Sequence, residues 1–232
     1  NNPFIHDFFE YWYWISIFSW RYPSNQNIEI LREIPKFHAL FDSKDTNILS
    51  ILNKAQSDDV LKTKHYSNKE ILTMCKVDET DKIPPAAMTK FICQFYLAYD
   101  GGYKDLCKEQ TLLNGLYDPD MRLEIHHINT LGSSKKIGQL TRELRKDKKN
   151  LFNSPLNMIY ISKTANKIIS DMEFQKYAVD PVITNSLSLV GCNPVGKEND
   201  MNKFLEARFN DLSAKLEKQL SFLFDNAKQL GK

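Results

Sequence analysis

Apolar residues recur at helical spacing over most of the chain. A pattern of residues typical of β-strands occurs in only two short stretches. The helical spacing predicts long helices at both ends and in the first half, because a helix buries one face every three to four residues. Pro84 and Pro85 open the third long helix, and Gly101 and Gly102 close it. The helices predicted in this way cover residues 4–20, 26–41 (with Pro35 inside), 43–55, 57–63, 66–77, 84–100 and 201–228.

The middle of the chain has a different pattern. The segments "RLEIHHI" and "NMIYIS" predict two short strands, separated by a long polar and basic connection over residues 129–150. A short helix follows, with Ser162 as its N-cap, and residues 180–198 are predicted to be a loop. We therefore expect a mainly α (α+β) fold, in which a helical domain carries a small central ββα unit. The expected divisions are a helical domain over 1–117, the ββα unit over 118–180, and a loop with a closing helix over 181–232.

Composition narrows the protein class only slightly. The 232 residues are 42% hydrophobic, enough to bury a core, and the net charge of +2 neither requires nor excludes nucleic acid. The four cysteines contain no Cys-x-x-Cys pair, so the sequence predicts neither a zinc site nor a disulfide framework, and a reduced cytoplasmic protein is expected. The aromatic stretch "FFEYWYWISIFSW" (8–20) is too short to span a bilayer, so we expect a buried helix and no membrane partner.

Two adjacent histidines, His126 and His127, lie near the end of the first predicted strand. Neighbouring strand residues point to opposite faces, so one imidazole can face a metal ion while the other faces a water molecule. Hydrolysis of a phosphodiester needs a base for water and a cation for the developing charge, and imidazole titrates in a range that suits the base. The pair alone is weak evidence, since most such histidines are structural.

The segments "EIHHI", "NSPLN" and "SKTANKIIS" together resemble the HNH (ββα-metal) nuclease motif. The resemblance implies that His126 and Asn166 are metal ligands, that His127 is the general base, and that Asn157 orients the base or pins the loop. The step from Asn157 to Asn166 is similar to that in the HNH domain of RNA-guided CRISPR nucleases. Three features depart from the motif. His126 stands where Asp is common, Asn129, Thr130 and Leu131 follow where a Pro-containing turn is usual, and the connection between His127 and Asn157 is unusually long.

A narrower resemblance is to the C-terminal half of GmrSD-like restriction proteins, through "FNSPLNMIYISKTANKIIS", "YWYWISIFSWRY" and "FLEAR". It implies a nuclease of bacterial restriction or anti-phage defence that acts on DNA with a divalent cation. Mg²⁺ is expected, and Mn²⁺, Ni²⁺ or Zn²⁺ are alternatives. It also implies an N-terminal NTP-binding domain or partner subunit that this chain lacks, so we expect the chain to be part of a longer protein.

The basic connection contains seven Lys or Arg residues between the two halves of the motif. Such a run is usually a solvated surface, but its position predicts contact with the DNA backbone. The predicted DNA-binding residues are Arg142, Arg145, Lys146, Lys148, Lys149 and, on the short helix, Lys167.

Two other functions remain open from the sequence. One is a catalytically inactive DNA- or effector-binding module that keeps the HNH scaffold. The other is a structural domain that docks a subunit through its aromatic helix. Glu124 is expected to point outward from the strand, with a supporting role at the metal as the alternative. Asn153 is expected to cap or close the loop, with a direct role at the site as the alternative.

Overall fold

The structure is a computed structural model that describes residues 3–22, 26–43, 60, 83–107, 111–113, 122–134, 138–147, 150–192 and 201–231. These residues are mainly helical and contain one two-stranded antiparallel sheet, which confirms the predicted mainly α class. The short helices predicted over 43–55, 57–63 and 66–77 lie almost wholly outside the described residues. Within the described part of the chain, no helix combines the length and the apolar character needed to cross a membrane.

The chain folds into two compact units. The first unit takes residues from 1–66, 77–83 and 213–232, and the second takes residues from 67–76 and 84–212. The three expected domains, divided at 117/118 and 180/181, are each one continuous stretch of the chain. Each observed unit instead combines separate stretches of the chain. Both strands, the helix after them and the basic connection belong to the second unit.

In the first unit, helix α1 spans Pro3–Phe18 and helix α2 spans Gln26–Ser43. Phe8 of α1 packs against Phe37 and Leu40 of α2 and against two residues near the end of the chain, Ala227 and Leu230. The prediction of a buried aromatic helix is confirmed, because most of the large side chains of α1 are buried and recur at helical spacing. The buried side chains of α1 are Phe8, Tyr11, Trp14, Ile15, Ser16 and Phe18.

The second unit is built around the sheet. Strand β1 (Leu123–His127) pairs antiparallel with strand β2 (Met158–Ser162), and His126 lies opposite Ile159. Helix α3 (Pro85–Ala98) packs against β2 and begins at Pro85, as the two prolines predict. Strand β2 contains Ile159, Tyr160 and Ile161, whose β-branched and aromatic side chains suit a pleated surface, whereas β1 contains Ile125 as its β-branched residue.

Helix α5 (Lys163–Ile169) follows β2 without a loop. Ser162 is its N-cap, as predicted, since its hydroxyl oxygen accepts a hydrogen bond from the Ala165 amide at 3.0 Å. The same hydroxyl donates to the buried carboxylate of Asp105 at 2.8 Å, and Asp105 also accepts from the Ser162 amide at 3.0 Å. These bonds fix the junction at which the strand becomes a helix.

Four further helices complete the described fold. Helix α4 (Thr141–Lys146) lies inside the connection between the strands, which the sequence pattern does not mark as helical. Helix α6 spans Phe174–Tyr177, helix α7 spans Pro181–Leu189, and helix α8 spans Met201–Ala227, close to the predicted closing helix.

The prediction that residues 180–198 form a loop is therefore wrong over its first half. Asp180 caps α7 by accepting from the amides of Val182 at 2.9 Å and Ile183 at 3.4 Å. Pro181 at the first helical position has no amide hydrogen to leave unpaired. An acidic cap followed by proline is a helix start signal, and here it marks a helix rather than a loop.

Candidate active site

His126 lies near the end of β1 and faces helix α5. Its ring nitrogen Nδ1 is 2.9 Å from the side-chain oxygen of Asn166, which lies in the first turns of α5. The strand and the helix thus bring together the two residues that the HNH resemblance pairs as metal ligands. They are 40 positions apart in sequence, and the antiparallel pairing of β1 with β2 places them in contact.

Glu124 lies two positions before His126 and so shares its face of the strand. The Glu124 carboxylate accepts a hydrogen bond from the Asn166 side-chain amide at 2.6 Å. This bond fixes the orientation of the amide, because a carboxylate only accepts. The Asn166 oxygen must then face His126, whose Nδ1 carries the proton in this arrangement. Glu124 was expected to point outward, but its side chain instead contacts Asn166, one of the two predicted metal ligands.

His126 is 5% exposed, and burial lowers the pKa of its imidazole, while the Asn166 hydrogen bond and the charge of Asp171 act in the opposite direction. Its other nitrogen, Nε2, is buried and has no hydrogen-bond partner among the described residues. The ring therefore stays neutral near pH 7, which is the form that ligates metals.

His127 follows on the other face of β1. Its Nε2 is 3.4 Å from the side-chain oxygen of Asn153, which ends a short 3₁₀ turn over Leu151–Asn153. The pKa of His127 is lowered to about 4, mainly by burial; the Asn153 contact raises it, and His126 and the positive charge of Arg145 lower it. The imidazole is therefore unprotonated at neutral pH and able to accept a proton.

Asn157 is fully buried and holds two loops together. Its side-chain oxygen accepts from the amide of Asn129 at 2.8 Å, and its nitrogen donates to the carbonyls of Asn129 at 2.9 Å and Phe152 at 2.8 Å. Within the described residues its side-chain hydrogen bonds go to these two loops and not to His127. Of the two roles that the resemblance allows for Asn157, this geometry matches pinning of the loop.

The predicted DNA-contacting residues divide into two groups. Arg142, Arg145 and Lys146 are exposed on α4, and Arg145 is close enough to influence the charge state of His127. Lys167 is exposed on α5 beside Asn166. The remaining two predicted residues, Lys148 and Lys149, lie outside the described residues.

The described residues on this face of β1 offer only a few donor atoms to a divalent cation. Among the described residues no cluster of three or more His, Cys, Asp or Glu side chains is placed to hold a metal ion. His126 and Asn166 nevertheless offer a nitrogen and an oxygen donor in contact, and the Glu124 carboxylate contacts the nitrogen of the same Asn166 amide. The 2.9 Å contact between His126 Nδ1 and the Asn166 oxygen is a hydrogen bond, so these two atoms would hold a cation only once Nδ1 is free of its hydrogen.

Comparison of the chain with protein-family models, with curated proteins and with solved structures gives no match.

The sequence pattern offered a direct site role for Asn153 only as an alternative and assigned none to Asn129. Asn153 contacts His127, and Asn129 is the partner of Asn157 across the two loops. Glu124 was identifiable from its spacing, since residues two apart on a strand share a face. Asn153 had no such signal, because its contact with His127 joins two segments that are 26 positions apart.

Proposed function

We propose that this protein is a metal-dependent endonuclease that hydrolyses DNA phosphodiester bonds. The observation that carries the proposal is the placement of His126 against Asn166 on one face of β1, with His127 on the other face near Arg145 of the basic helix α4. A ligand pair, a base and a cationic surface are the three parts that phosphodiester hydrolysis requires.

His127 is proposed to take a proton from the attacking water. The water oxygen forms a bond to phosphorus, the bond from phosphorus to the leaving oxygen breaks, and solvent supplies a proton to that oxygen. A pKa of about 4 makes the free imidazole a weak base. The negative charge of a bound phosphate would raise the pKa toward neutrality, because an anion stabilises the protonated ring.

His126 and Asn166, with Glu124 beside them, would hold the divalent cation. The Nδ1 hydrogen of His126 would then move to Nε2, because a ligating nitrogen must be free of its proton. When bound, such a cation stabilises the charge that develops on the phosphate and on the leaving oxygen. The nitrogen and oxygen donors suit Mg²⁺ or Mn²⁺ with phosphate oxygens, and the imidazole also suits Ni²⁺ or Zn²⁺.

The exposed residues Arg142, Arg145 and Lys146 would contact the DNA backbone without reading sequence. The resemblance of the segments around the site to GmrSD-like proteins supports a role in bacterial restriction or anti-phage defence. An NTP-binding domain or subunit would then control when cutting occurs.

A nicking experiment tests the proposal. Supercoiled plasmid is incubated with the wild-type chain, with His127→Ala and with His6→Ala, which removes an exposed histidine of α1 as a matched control. Relaxation that requires Mg²⁺ or Mn²⁺, survives in His6→Ala and is lost in His127→Ala and in EDTA is expected.

The rival is an inactive module that binds DNA or an effector through the same scaffold. The wild type and His127→Ala would then bind DNA equally, and neither would cut, even when the complete protein and NTP are present. That result would contradict the nuclease proposal.

A further inference from the structure

Asn153 is held by two backbone carbonyls at the end of helix α4. Its side-chain nitrogen donates to the carbonyl oxygen of Leu144 at 2.7 Å and to that of Asp147 at 2.8 Å. Each of these carbonyls also accepts a backbone hydrogen bond, from the Asp147 amide at 3.2 Å and from the Asn150 amide at 3.1 Å, so the Asn153 side chain is the second donor to each oxygen. Both hydrogens of the Asn153 amide are used in this way.

These two bonds determine which way the amide points. Carbonyl oxygens only accept, so the nitrogen of Asn153 must face α4 and its oxygen must face His127. The oxygen lies 3.4 Å from Nε2 of His127, at the long end of the hydrogen-bond range. An amide oxygen also only accepts, and therefore Nε2 must carry the hydrogen in this contact.

We propose that Asn153 is a positioning residue that holds His127 in the tautomer with its hydrogen on Nε2 and leaves Nδ1 free to take the proton of the attacking water. This inference rests on the proposed function for the use of Nδ1, whereas the tautomer itself is a property of the resting protein. After proton transfer the imidazolium keeps its Nε2 hydrogen on the Asn153 oxygen, so the contact strengthens when the ring becomes charged.

The same amide connects the base to the basic helix. α4 carries Arg142, Arg145 and Lys146, and its last turn is bonded to Asn153. A displacement of α4 would therefore move the acceptor of His127 as well. Asn157, which lies only four positions later, binds the loops and leaves the orientation of His127 to Asn153.

The test uses nitrogen NMR of ¹⁵N-histidine-labelled protein at neutral pH. The signals of His127 are assigned with His127→Ala, and the protonated nitrogen is identified from the nitrogen shifts and their couplings to the ring hydrogens. Asn153→Ala removes the acceptor, and Asn153→Asp keeps an acceptor but loses both donors to α4. Asn150→Ala is the matched control, because Asn150 caps the same turn by accepting from the Phe152 amide at 3.0 Å.

We expect the hydrogen on Nε2 in the wild type, in Asn153→Asp and in Asn150→Ala, and a mixture of both tautomers in Asn153→Ala. Nicking at saturating DNA is expected to fall about tenfold to a hundredfold in Asn153→Ala, in the range typical of residues that orient a reacting group. Its half-saturating DNA concentration should stay unchanged.

A wild-type ring with its hydrogen on Nδ1 would overturn the inference, and so would an unchanged tautomer in a folded Asn153→Ala protein. These outcomes do not depend on activity. If the wild type shows the Nε2 tautomer but never cuts, the positioning by Asn153 stands and the proposed nuclease function fails.

Discussion

Asn166 accepts a hydrogen bond from Nδ1 of His126 across 2.9 Å, and its own amide donates to Glu124 across 2.6 Å. The chain of three residues links strand β1 to helix α5. Asn166 would otherwise be free to rotate, because a partly exposed helical position leaves an amide several rotamers. Glu124 therefore keeps the oxygen of Asn166 directed at the position where His126 would share a cation with it.

Replacement of Glu124 by Ala should weaken the metal dependence of nicking. The half-saturating Mn²⁺ concentration is expected to rise about tenfold to a hundredfold, the usual cost of losing a residue that orients a ligand. Glu124→Gln, which can still accept through its oxygen, should show a smaller rise, and Glu206→Ala, at an exposed position of α8, should show none. The measurement is a Mn²⁺ titration of plasmid nicking, with Mn²⁺ calorimetry as a readout that does not require cutting. Equal behaviour of Glu124→Ala and wild type in both assays would argue against this role.

The protein should lose stability as the pH falls from 7 toward 4. Burial holds the pKa of His127 at about 4 and lowers that of His126, whereas imidazoles of the unfolded chain titrate near 6.5. The unfolded state thus binds protons that the folded state does not, and stability falls with falling pH. For His127 the loss at about pH 5 is up to about 2 kcal/mol, at about 1.4 kcal/mol per pKa unit.

Urea unfolding at about pH 7.5 and about pH 5 measures this effect. The difference between the two midpoints should shrink in His127→Gln and stay unchanged in His6→Gln. An identical pH dependence in wild type and His127→Gln would show that His127 does not contribute.

Asn157→Ala should destabilise the second unit by about 2 to 4 kcal/mol. The substitution removes three partly buried hydrogen bonds, to the Asn129 amide and to the carbonyls of Asn129 and Phe152, and each contributes about 1 kcal/mol. Asn150→Ala, which removes one bond to the Phe152 amide, should cost less than half as much. Chemical denaturation gives the free energies, and hydrogen exchange of the Asn129 amide should accelerate in Asn157→Ala alone. Unchanged exchange at Asn129 would contradict the pinning role.

Removal of the positive charges on α4 should weaken DNA binding uniformly across sequences. In a His127→Ala background, the triple change of Arg142, Arg145 and Lys146 to Ala should lower the slope of log affinity against log salt by about 2 to 3, at about 0.9 per phosphate contact. Fluorescence anisotropy with random-sequence duplex at several salt concentrations provides the slope. A triple change to Ala of the exposed Lys36, Lys90 and Lys218 is the control with equal charge loss. If both triple variants change the slope equally, α4 is not the contact surface.

Arg208 should tolerate few replacements, although it lies on the closing helix. It is fully buried, donates to the thiol sulfur of Cys192 at 2.6 Å and to the Met158 carbonyl at 3.1 Å, and stacks over the ring of Tyr96 at 4.7 Å. Arg208→Ala should cost about 3 to 5 kcal/mol by leaving a cavity and an unpaired carbonyl at the start of β2. Arg208→Met, which keeps most of the volume, should cost less.

Thermal unfolding of the two Arg208 variants distinguishes the contribution of packing from that of the charge and its hydrogen bonds. An equal loss in Arg208→Ala and Arg208→Met would assign the whole effect to the charge and its hydrogen bonds rather than to packing.

The sequence alone determined the elements whose local signals are strong. The aromatic helix, the helix opened by Pro84 and Pro85, both strands and the Ser162 cap follow from periodicity and capping, which act between residues a few positions apart. It also indicated His126 and Asn166 as candidate metal ligands, through the resemblance to the HNH motif, in which a strand is followed by a helix.

Only the tertiary structure decided which side chains meet. Asp180 and Pro181 are a helix start signal, but the Gly and Pro residues around them favoured the prediction of a loop. Helix α4 is only six residues long, too short to show a helical period in the sequence. The contacts of Asn153 with His127 and of Glu124 with Asn166 join loops and elements 26 and 42 positions apart. Such contacts depend on strand register and on the directions in which side chains leave the backbone, and neither is encoded in local spacing.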